Sequence, residues 1–394
     1  MNTKILQSEV QQFIIDNISS NITKLALKGS PFNEISTQEL INQVVAKQKS
    51  VKKLPTWFQT KNIYYPPKIS IEQTSSEITA NYKSNIVSGN SLIDITGGFG
   101  IDAYYFAKNF TEVTHCEINE ELSNIVNHNL QQLKATNIKT IAGSGLEHLK
   151  KNNKTYDCIY IDPSRRDDIK GKVFLLSDCL PNVPQNLDFL FSKSHIILLK
   201  NSPLLDIKAT INELKFVKEI HIVAVQNEVK ELLFLLQKGY DKHIFIKTIN
   251  LGKNNNNEVF NFTFDDVLEP SYSEPQEYLY EPNAAILKSG GFNTVSNKLK
   301  INKLHKHSHL YTSVEFKDNF PGRSFKIIEV TNYNKKELRK ISNGKANITT
   351  RNFPKTVAQI RKETKIKDGG DLFIFLTTDI NSKLCAIICK KYIN

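Results

Sequence analysis

The sequence predicts an α/β fold, in which a largely parallel sheet is flanked by helices, preceded by a helical segment and followed by a basic α+β region. Three observations predict it. Short apolar, strand-like runs alternate with helical patterns between residues 92 and 225. A glycine-rich turn at Gly97 joins the first of these runs to a helix. The sequence pattern and the charge then change near Tyr278.

Length and composition place the chain among ordinary globular proteins. Its 394 residues suffice for two or three domains, and 40% hydrophobic with 23% charged residues are typical values. No apolar run approaches the roughly 20 residues that span a bilayer, and no signal peptide begins the sequence. Five cysteines without a CxxC pair favour a reducing compartment. We therefore expect a cytoplasmic protein with no membrane partner.

The net charge of +12 is unevenly distributed. Residues 281–394 hold 22 Lys and Arg against 9 Asp and Glu, so the rest of the chain is close to neutral. A basic region attached to a neutral one indicates an acidic partner, first of all a nucleic acid. The alternative is a lysine-rich surface that is merely solvated.

The first 70 residues carry apolar side chains at helical spacing and are predicted to form a helical domain with a linker that contains Trp57. Thr74 and Glu77 then fit a capping box that opens a helix through Ala80 to Lys83. This helix directly precedes the first predicted strand.

The glycine-rich turn spells Asp94-x-Thr96-Gly97-Gly98-x-Gly100. Glycine allows a sharp strand-to-helix reversal and lets a ligand approach the backbone. A turn that binds pyrophosphate has the sequence G-x-G-x-x-G. The turn here differs, because the carboxylate of Asp94 precedes it and would repel phosphate but attract a cationic ligand. The next strand ends at Glu117, where an acid takes the two hydroxyl groups of a ribose. The alternative is an ordinary strand-turn-helix of another α/β protein.

Two further strands complete this pattern. The third, Ile138 to Ala142, ends near Ser144, and the fourth, Tyr156 to Ile161, ends in Asp162-Pro163-Ser164-Arg165-Arg166. Because the carboxyl ends of parallel strands share one crevice, Asp162 is predicted to face the glycine turn. Arginines at this corner suit a phosphate or a base face; alternatively, the corner is a turn with solvated arginines.

Apolar runs near 196–200, 220–225 and 243–246 predict the remaining strands, and Asn254 to Asn257 predicts a loop. Beyond Tyr278, Asn283 opens a helix that Gly290 and Gly291 close, and strands alternate with a lysine-rich helix at 335–340. His305, His307 and His309 alternate as on one face of a strand. Since no acid or cysteine lies near them in sequence, we expect no metal site.

Taken together, these motifs resemble a family of class I methyltransferases that carry a C-terminal THUMP-like domain. The resemblance spans roughly residues 55–394. It rests on Gln73-x-Ser75-Ser76-Glu77, on Asp94 to Gly100 with Asp102, on Asp162-Pro163-x-Arg165-Arg166, on Tyr280-Glu281-Pro282-Asn283, and on Phe320-Pro321-Gly322-Arg323. Asp162-Pro163 is similar to the Asp-Pro-Pro-aromatic signature of enzymes that methylate amino groups of bases, although Ser164 and Arg165 depart from it.

The resemblance implies a domain division and a cofactor. The expected domains are a helical segment at 1–70, a Rossmann-like sheet at 71–275, a small ferredoxin-like segment at 276–320 and a THUMP-like domain at 321–394. The expected cofactor is S-adenosyl-L-methionine. Its pocket would be shaped by Asp94, Thr96, Gly97, Gly98, Gly100, Asp102 and Asp162. Glu117 would bind the ribose, Ser144 would lie near the adenine in place of the usual acid, and Gln73, Ser75 and Ser76 would bind the carboxylate.

The expected reaction is direct transfer of the methyl group to a nucleobase nitrogen of RNA, either tRNA or rRNA. Asp162, Pro163 and Arg165 are the candidate catalytic residues. Arg165, Arg166, Arg323 and Arg351 are the candidate RNA contacts. Two competing hypotheses remain: a methyltransferase that acts on a protein or a small molecule, and a non-catalytic RNA-binding protein with a relic methyltransferase fold.

Overall fold

The computed structural model describes residues 1–165, 175–264 and 268–392. The chain divides into two compact units. The first comprises Met1–Lys218 and Leu232–Lys242, and the second comprises Glu219–Glu231 and His243–Asn394.

Six helices precede the first strand: α1 (Ser8–Asp16), α2 (Ile22–Lys28), α3 (Thr37–Lys53), α4 (Pro55–Gln59), α5 (Lys68–Gln73) and α6 (Glu77–Ser84). Their apolar faces share one core with the helices that follow, and in that core Trp57 packs against Phe99 and Tyr104. The predicted capping box of Thr74 and Glu77 is wrong, because Glu77 is the first residue of α6 and Thr79 occupies the third helical position. Ser76, not Thr74, caps α6, because its hydroxyl accepts the N–H of Thr79.

Strands and helices alternate through the rest of the first unit and into the second: β1 (Gly89–Asp94), α7 (Ile101–Phe106), β2 (Phe110–Glu117), α8 (Glu120–Gln132), β3 (Ile138–Ala142), α9 (Gly145–Lys151), β4 (Tyr156–Ile161), β5 (Ser164–Arg165), β6 (Cys179–Leu180), α10 (Val183–Lys193), β7 (Ser194–Asn201), α11 (Ile207–Glu213), β8 (Val217–Val225), β9 (Glu228–Gln237), β10 (Phe245–Leu251) and β11 (Glu258–Thr263).

In the first unit the sheet order is β9-β7-β4-β1-β2-β3. All neighbouring pairs are parallel except β7 with β9. The chain runs outward from β1 in one direction through β2 and β3, and then starts again on the other side of β1 with β4. This reversal is the topological switch point, where ligands of such sheets bind at the carboxyl ends of the strands. The predicted α/β class is confirmed.

The remaining elements belong to the second unit: β12 (Tyr278–Pro282), α12 (Ala284–Ser289), α13 (Phe292–Leu299), β13 (Asn302–Lys303), β14 (Tyr311–Ser313), β15 (Gly322–Asn332), α14 (Lys335–Ile341), β16 (Asn347–Thr350), α15 (Val357–Thr364), β17 (Leu372–Thr378) and β18 (Leu384–Lys391).

In the second unit, β10 pairs in parallel with β8 and antiparallel with β11. A separate seven-stranded sheet has the order β13-β14-β12-β15-β18-β17-β16, in which β16 and β17 are parallel. Helices α14 and α15 contact each other and cover a core that contains Leu338, Ile360 and Ile374. This is the basic α+β region that the sequence predicts.

Two further features concern the helices and the cysteines. No helix among the residues that the structure describes is long and apolar enough to cross a lipid bilayer. All five cysteines are buried free thiols.

Candidate functional site

The glycine turn and the Asp-Pro corner meet at the switch point. Strands β1 and β4 are parallel neighbours that pair Asp94 with Tyr160, so both chains leave the sheet at the same edge. The backbone N–H of Asp162 donates a hydrogen bond to Thr96 Oγ1 at 2.6 Å. Thr96 in turn donates its own backbone N–H to Asp94 Oδ1 at 3.0 Å. The two predicted corners therefore form one connected site.

The turn is held against strand β2. Gly97 donates its N–H to the carbonyl of Cys116 at 2.8 Å, and a Cβ on Gly97 would lie 2.2 Å from His115 Nε2. Gly100 has a left-handed φ of +78°, and a Cβ there would lie 2.8 Å from Val126 Cγ1. Burial lowers the pKa of His115 to about 4, so the ring beneath the turn is neutral near pH 7. Glycine at these two positions is required by packing.

Glu117 closes the other side of the turn. Its Oε2 accepts the N–H of Gly98 and its Oε1 accepts the N–H of Asn119, both at 2.8 Å. Each carboxylate oxygen can accept two hydrogen bonds and accepts one here, so both oxygens can still accept from the hydroxyl groups of a diol. Gly98 has a φ of +53°, and a Cβ there would meet no atom closer than 4.0 Å. The backbone is therefore open to a ligand at Gly98.

The loop after β3 lies beside Glu117. The N–H of Gly143 donates to the carbonyl of Glu117 at 2.8 Å, and a Cβ on Gly143 would meet nothing within 4 Å. Ser144 caps α9 by accepting the N–H of Glu147 at 3.4 Å. The predicted adenine-side residue thus stands next to the predicted ribose-side residue.

Asp94 is almost fully buried, with 1% of its surface exposed. Burial raises its pKa well above the ordinary value, and the neighbouring carboxyl groups of Asp102 and Asp162 add to this effect. A cation placed beside Asp94 would oppose both effects and favour the carboxylate. This environment fits the cationic ligand that the sequence predicts.

Asp102 forms a buried cluster with three partners. Its Oδ1 lies 3.1 Å from Lys83 Nζ, and its Oδ2 accepts the hydroxyl groups of Ser75 and Tyr160, each at 2.8 Å. Burial acts to raise the pKa of Asp102, but the ammonium groups of Lys83 and then Lys200 keep it below the ordinary value. Asp102 is therefore a carboxylate that fixes the helices around the turn.

Of the three residues predicted to bind the cofactor carboxylate, Ser75 lies inside this cluster, where it also accepts from Lys83 Nζ at 3.0 Å. Ser76 caps α6, and Gln73 is exposed at the end of α5. The hydroxyl groups of Ser75 and Ser76 thus already form hydrogen bonds within the protein, and binding of the cofactor carboxylate by these residues stays a prediction.

Lys200 is a member of the site that the sequence analysis missed. It lies near the end of β7, the strand that pairs with β4, and its ammonium forms an ion pair with Asp162 Oδ2. The Lys200 side chain is 14% exposed and that of Asp162 is 33% exposed. A lysine directly after the apolar run Ile196 to Leu199 is the signal that would have found it, because a charge at the end of a buried strand needs a partner.

The remaining corner residues are placed only in part. Pro163 follows Asp162 directly and is partly buried, and the backbone of Arg165 lies in β5. The side chain of Arg165 and the whole of Arg166 lie outside the described residues.

Arg323 and Arg351 belong to the second unit, where both bind Glu281. Arg323 Nε donates to Glu281 Oε2 at 2.8 Å, and Arg351 Nη2 lies 2.7 Å from Glu281 Oε1. The carboxylate is 4% exposed, whereas the two arginine side chains are 39% and 37% exposed. Both arginines are therefore structural ion-pair partners with an exposed side, and their contact with RNA stays a prediction.

The predicted strand of alternating histidines is wrong. Residues 306–308 form a turn, and the rings of His305 and His307 lie with centroids 5.7 Å apart, whereas His309 stacks on Phe292 with ring centroids 3.5 Å apart. Within the described ranges, no group of three or more His, Cys, Asp or Glu side chains is arranged to hold a metal ion.

Comparison with known families assigns three segments of the chain. Residues 89–246 match the family described as RNA cap guanine-N2 methyltransferase. Residues 278–321 match a ferredoxin-like domain, and residues 322–391 match a THUMP domain-like family. No curated protein matches the chain.

Among solved structures, a "putative methyltransferase" from Porphyromonas gingivalis W83 is similar over 100% of this chain and 99% of its own, with 29% identity and a TM-score of 0.89. An O-methyltransferase from Bacillus cereus in complex with SAH (12% identity, TM-score 0.34) covers 48% of this chain and 100% of its own. An rRNA methylase from Streptococcus thermophilus (13% identity, TM-score 0.30) covers 41% of this chain and 94% of its own. The last two structures are too weakly similar to this chain to identify its substrate.

Proposed function

We propose that this chain, a class I S-adenosylmethionine-dependent methyltransferase with a C-terminal THUMP-like domain, methylates a nucleobase nitrogen of RNA. The observation that carries the proposal is the hydrogen bond between Thr96 and Asp162, which joins the cofactor turn to the corner that would hold the nucleophile.

The residues of the turn fit the cofactor. The faces of Gly98 and Gly143 are open, so an adenosyl group has access to the backbone on both sides of Glu117. Glu117 would accept the ribose hydroxyl groups, and the loop of Ser144 would lie at the adenine. Asp94 would face the positive charge of the amino-acid end. When bound, the cofactor supplies a methyl group on a sulfonium.

Asp162 and Pro163 would hold the nucleophile. The Asp162 carboxylate and the Pro163 carbonyl are acceptors for the N–H groups of an exocyclic amine, and two such hydrogen bonds orient its lone pair. The lone pair would then be directed at the methyl group that the cofactor supplies, whose sulfur would keep the bonding electron pair, and the nitrogen would give up one proton to water. Lys200 and Thr96 keep Asp162 in place from two sides.

RNA is the favoured substrate because of the second unit. Its THUMP-like segment, residues 322–391, holds 16 Lys and Arg against 6 Asp and Glu. Such an excess attracts a polyanion and does little for a small neutral metabolite. The matched family description, RNA cap guanine-N2 methyltransferase, supports the same substrate class and an amino nitrogen as acceptor. Arg165, Arg166, Arg323 and Arg351 remain the predicted contacts to RNA.

The decisive experiment offers labelled S-adenosylmethionine with three pools: total RNA, protein extract and small metabolites. We expect label in RNA, retained after nuclease digestion to nucleosides. Asp162→Ala should abolish transfer while calorimetry still detects binding of the cofactor product, and Glu117→Ala should lose that binding. Label in protein or in metabolites would instead identify a protein side chain or a small molecule as the methyl acceptor. Absence of cofactor binding by the wild-type chain would favour a non-catalytic protein with a relic methyltransferase fold.

A further inference from the structure

The exposed cations of the THUMP-like segment are not evenly distributed. Several of its basic side chains are already bound by carboxylates: Lys326 by Glu277, Lys335 and Lys355 by Glu363, and Arg361 by Asp368. Others are exposed and have no carboxylate partner within the described part of the chain. Six of these come from two helices and the connections that follow them: Lys336, Lys340, Lys345, Lys362, Lys365 and Lys367.

The fold brings together the two helices and the two connections that carry these six residues. Helices α14 and α15 contact each other. The connection after α14 and the connection after α15 then lead into the parallel neighbours β16 and β17. Lys345 and Lys367 are bridge partners on these two connections, ahead of the strands, so their Cα atoms are about 5 Å apart. Lys340 precedes this point near the end of α14, and Lys365 precedes it on the connection after α15.

Local geometry keeps Lys345 extended across the surface. A Cβ on Gly369 would lie 3.2 Å from Lys345 Cε, and one on Gly370 would lie 3.6 Å from its Cγ. Both glycines have left-handed φ angles, +98° and +84°. The lysine side chain therefore lies along a glycine pair that leaves room for it, and no carboxylate of the described residues forms an ion pair with its ammonium.

The carboxylates of the same elements do little to neutralise this region. Glu363 already binds Lys335 and Lys355 and accepts from the hydroxyl of Tyr333, while Asp368 binds Arg361. Glu337 lies on α14 as an exposed acid. Six exposed lysines on two contacting helices and the connections that follow them thus outnumber the exposed acids on the same elements that have no cation partner in the described part of the chain.

We infer that this lysine cluster is the surface on which the phosphate backbone of the RNA substrate docks, an inference that rests on the proposed function. Lysine contacts phosphate as a mobile point charge and does not read base edges. The cluster therefore supplies affinity and orientation that are independent of sequence, while selection of the base falls to the corner at Asp162. The cluster thus adds lysine contacts to the predicted contacts of Arg323 and Arg351, whose guanidinium groups also bind Glu281.

The test measures affinity of the full chain for a fluorescent small-RNA fraction from about 50 to about 200 mM salt. Lys345→Gln/Lys365→Gln/Lys367→Gln is the cluster variant. The control, Lys24→Gln/Lys28→Gln/Lys52→Gln, removes three exposed lysines of the first unit. We expect the slope of log affinity against log salt to become shallower by about 2 in the cluster variant, since each phosphate contact contributes about 0.7 to 0.9. The control should keep the wild-type slope.

The outcomes separate the two proposals. If the wild-type chain labels RNA and the cluster variant keeps its salt slope, the docking inference is wrong and the proposed function stands. If the wild-type chain neither binds nor labels RNA, the proposed function itself fails. Preferential, lysine-dependent binding to polyglutamate or to anionic lipid vesicles would assign the cluster to an acidic protein or a membrane and overturn the inference. Circular dichroism checks that both variants are folded.

Discussion

The backbone N–H of Asp162 donates a 2.6 Å hydrogen bond to Thr96 Oγ1, although 66 residues separate the two positions in sequence. Thr96 is itself fixed by Asp94, whose Oδ1 accepts its backbone N–H. Asp94, which we propose faces the cofactor, and Asp162, which we propose faces the nucleophile, are therefore both bound by the same threonine. Methyl transfer needs both reactants at a fixed distance, and this residue connects the two sides.

Replacement of Thr96 tests that connection. Thr96→Val keeps the size of the side chain but leaves the N–H of Asp162 without its acceptor, at a cost of about 1 to 3 kcal/mol. We expect the transfer rate to fall about tenfold or more, with little change in affinity for S-adenosylhomocysteine. Thr96→Ser keeps the hydroxyl and should retain most of the rate. Equal rates for the two variants would show that the hydrogen bond is not needed.

The adjacent glycines Gly97 and Gly98 should respond differently to alanine. In Gly97→Ala the Cβ would lie 2.2 Å from the buried His115 ring, so we expect about 1 to 3 kcal/mol of destabilisation from overpacking. In Gly98→Ala the Cβ meets no protein atom closer than 4.0 Å, and the left-handed φ costs about 1 kcal/mol. Its Cβ would instead obstruct the cofactor.

Urea unfolding followed by Trp57 fluorescence measures the first effect, since Trp57 packs on Phe99 of the same turn. Calorimetry with S-adenosylhomocysteine measures the second. Gly98→Ala should lose affinity by far more than it loses stability. The opposite result, a stable and fully binding Gly98→Ala, would place the ligand elsewhere.

His115 makes the first unit sensitive to acid. Its pKa is about 4 in the folded chain because of burial, against an ordinary value of 6.5. A lowered folded pKa means that the unfolded chain binds the proton more tightly. The stabilising contribution is therefore fully present above pH 6.5 and is lost as the pH falls through about 4, by about 3 kcal/mol in all. We expect His115→Phe to show a shallower loss of unfolding free energy over this range, by Trp57 fluorescence. An unchanged pH dependence would mean that the ring is accessible to protons.

Glu281 should be essential to the second unit. Glu281→Gln leaves two partly exposed arginines without their carboxylate, and the loss of charge-assisted hydrogen bonds costs about 1.5 to 3 kcal/mol. Glu277 on the neighbouring segment pairs with Lys326, but both side chains are about half exposed. Glu277→Gln is thus the matched control, with an expected cost below about 1 kcal/mol. Hydrogen exchange of β12 and β15 measures the difference, and similar protection in both variants would contradict it.

Much of the first unit could be predicted from local pattern. Strands β3 and β4 begin and end where the apolar runs Ile138 to Ala142 and Tyr156 to Ile161 do. Glycines identify the turn at residues 97–100, because a Cβ would clash at Gly97 and Gly100 has a left-handed φ angle. Strand β9 was missed. Its apolar residues, Leu232 to Leu236, follow a charged stretch that hides the start of the strand. Its antiparallel pairing with β7 also depends on a chain reversal at Gln226 and Asn227, and these two residues have positive φ angles although neither is glycine.

The ion pairs could not be predicted for a different reason. Lys83, Lys200 and Glu281 are separated in sequence from their partners by 19 residues or more. The apolar run before Lys200 indicates that this lysine is largely buried but not which carboxylate it binds, and no local pattern distinguishes Lys83 from the many exposed lysines. The carboxylate motifs were visible in the sequence, whereas the cations that pair with them are brought there by tertiary packing.

Lys200 is the residue of the site most worth testing, because it holds Asp162 from the side opposite Thr96. Lys200→Met removes the ammonium but keeps an apolar side chain of similar length. Without the ion pair the Asp162 carboxylate loses its fixed orientation, so we expect the transfer rate to fall about tenfold or more while affinity for S-adenosylhomocysteine changes little. Lys200→Arg keeps the charge and should restore part of the rate. A purely structural role would lower stability in both variants alike and would not separate the rate from binding. If Lys200→Met transfers methyl groups at the wild-type rate, the ion pair has no part in positioning the nucleophile.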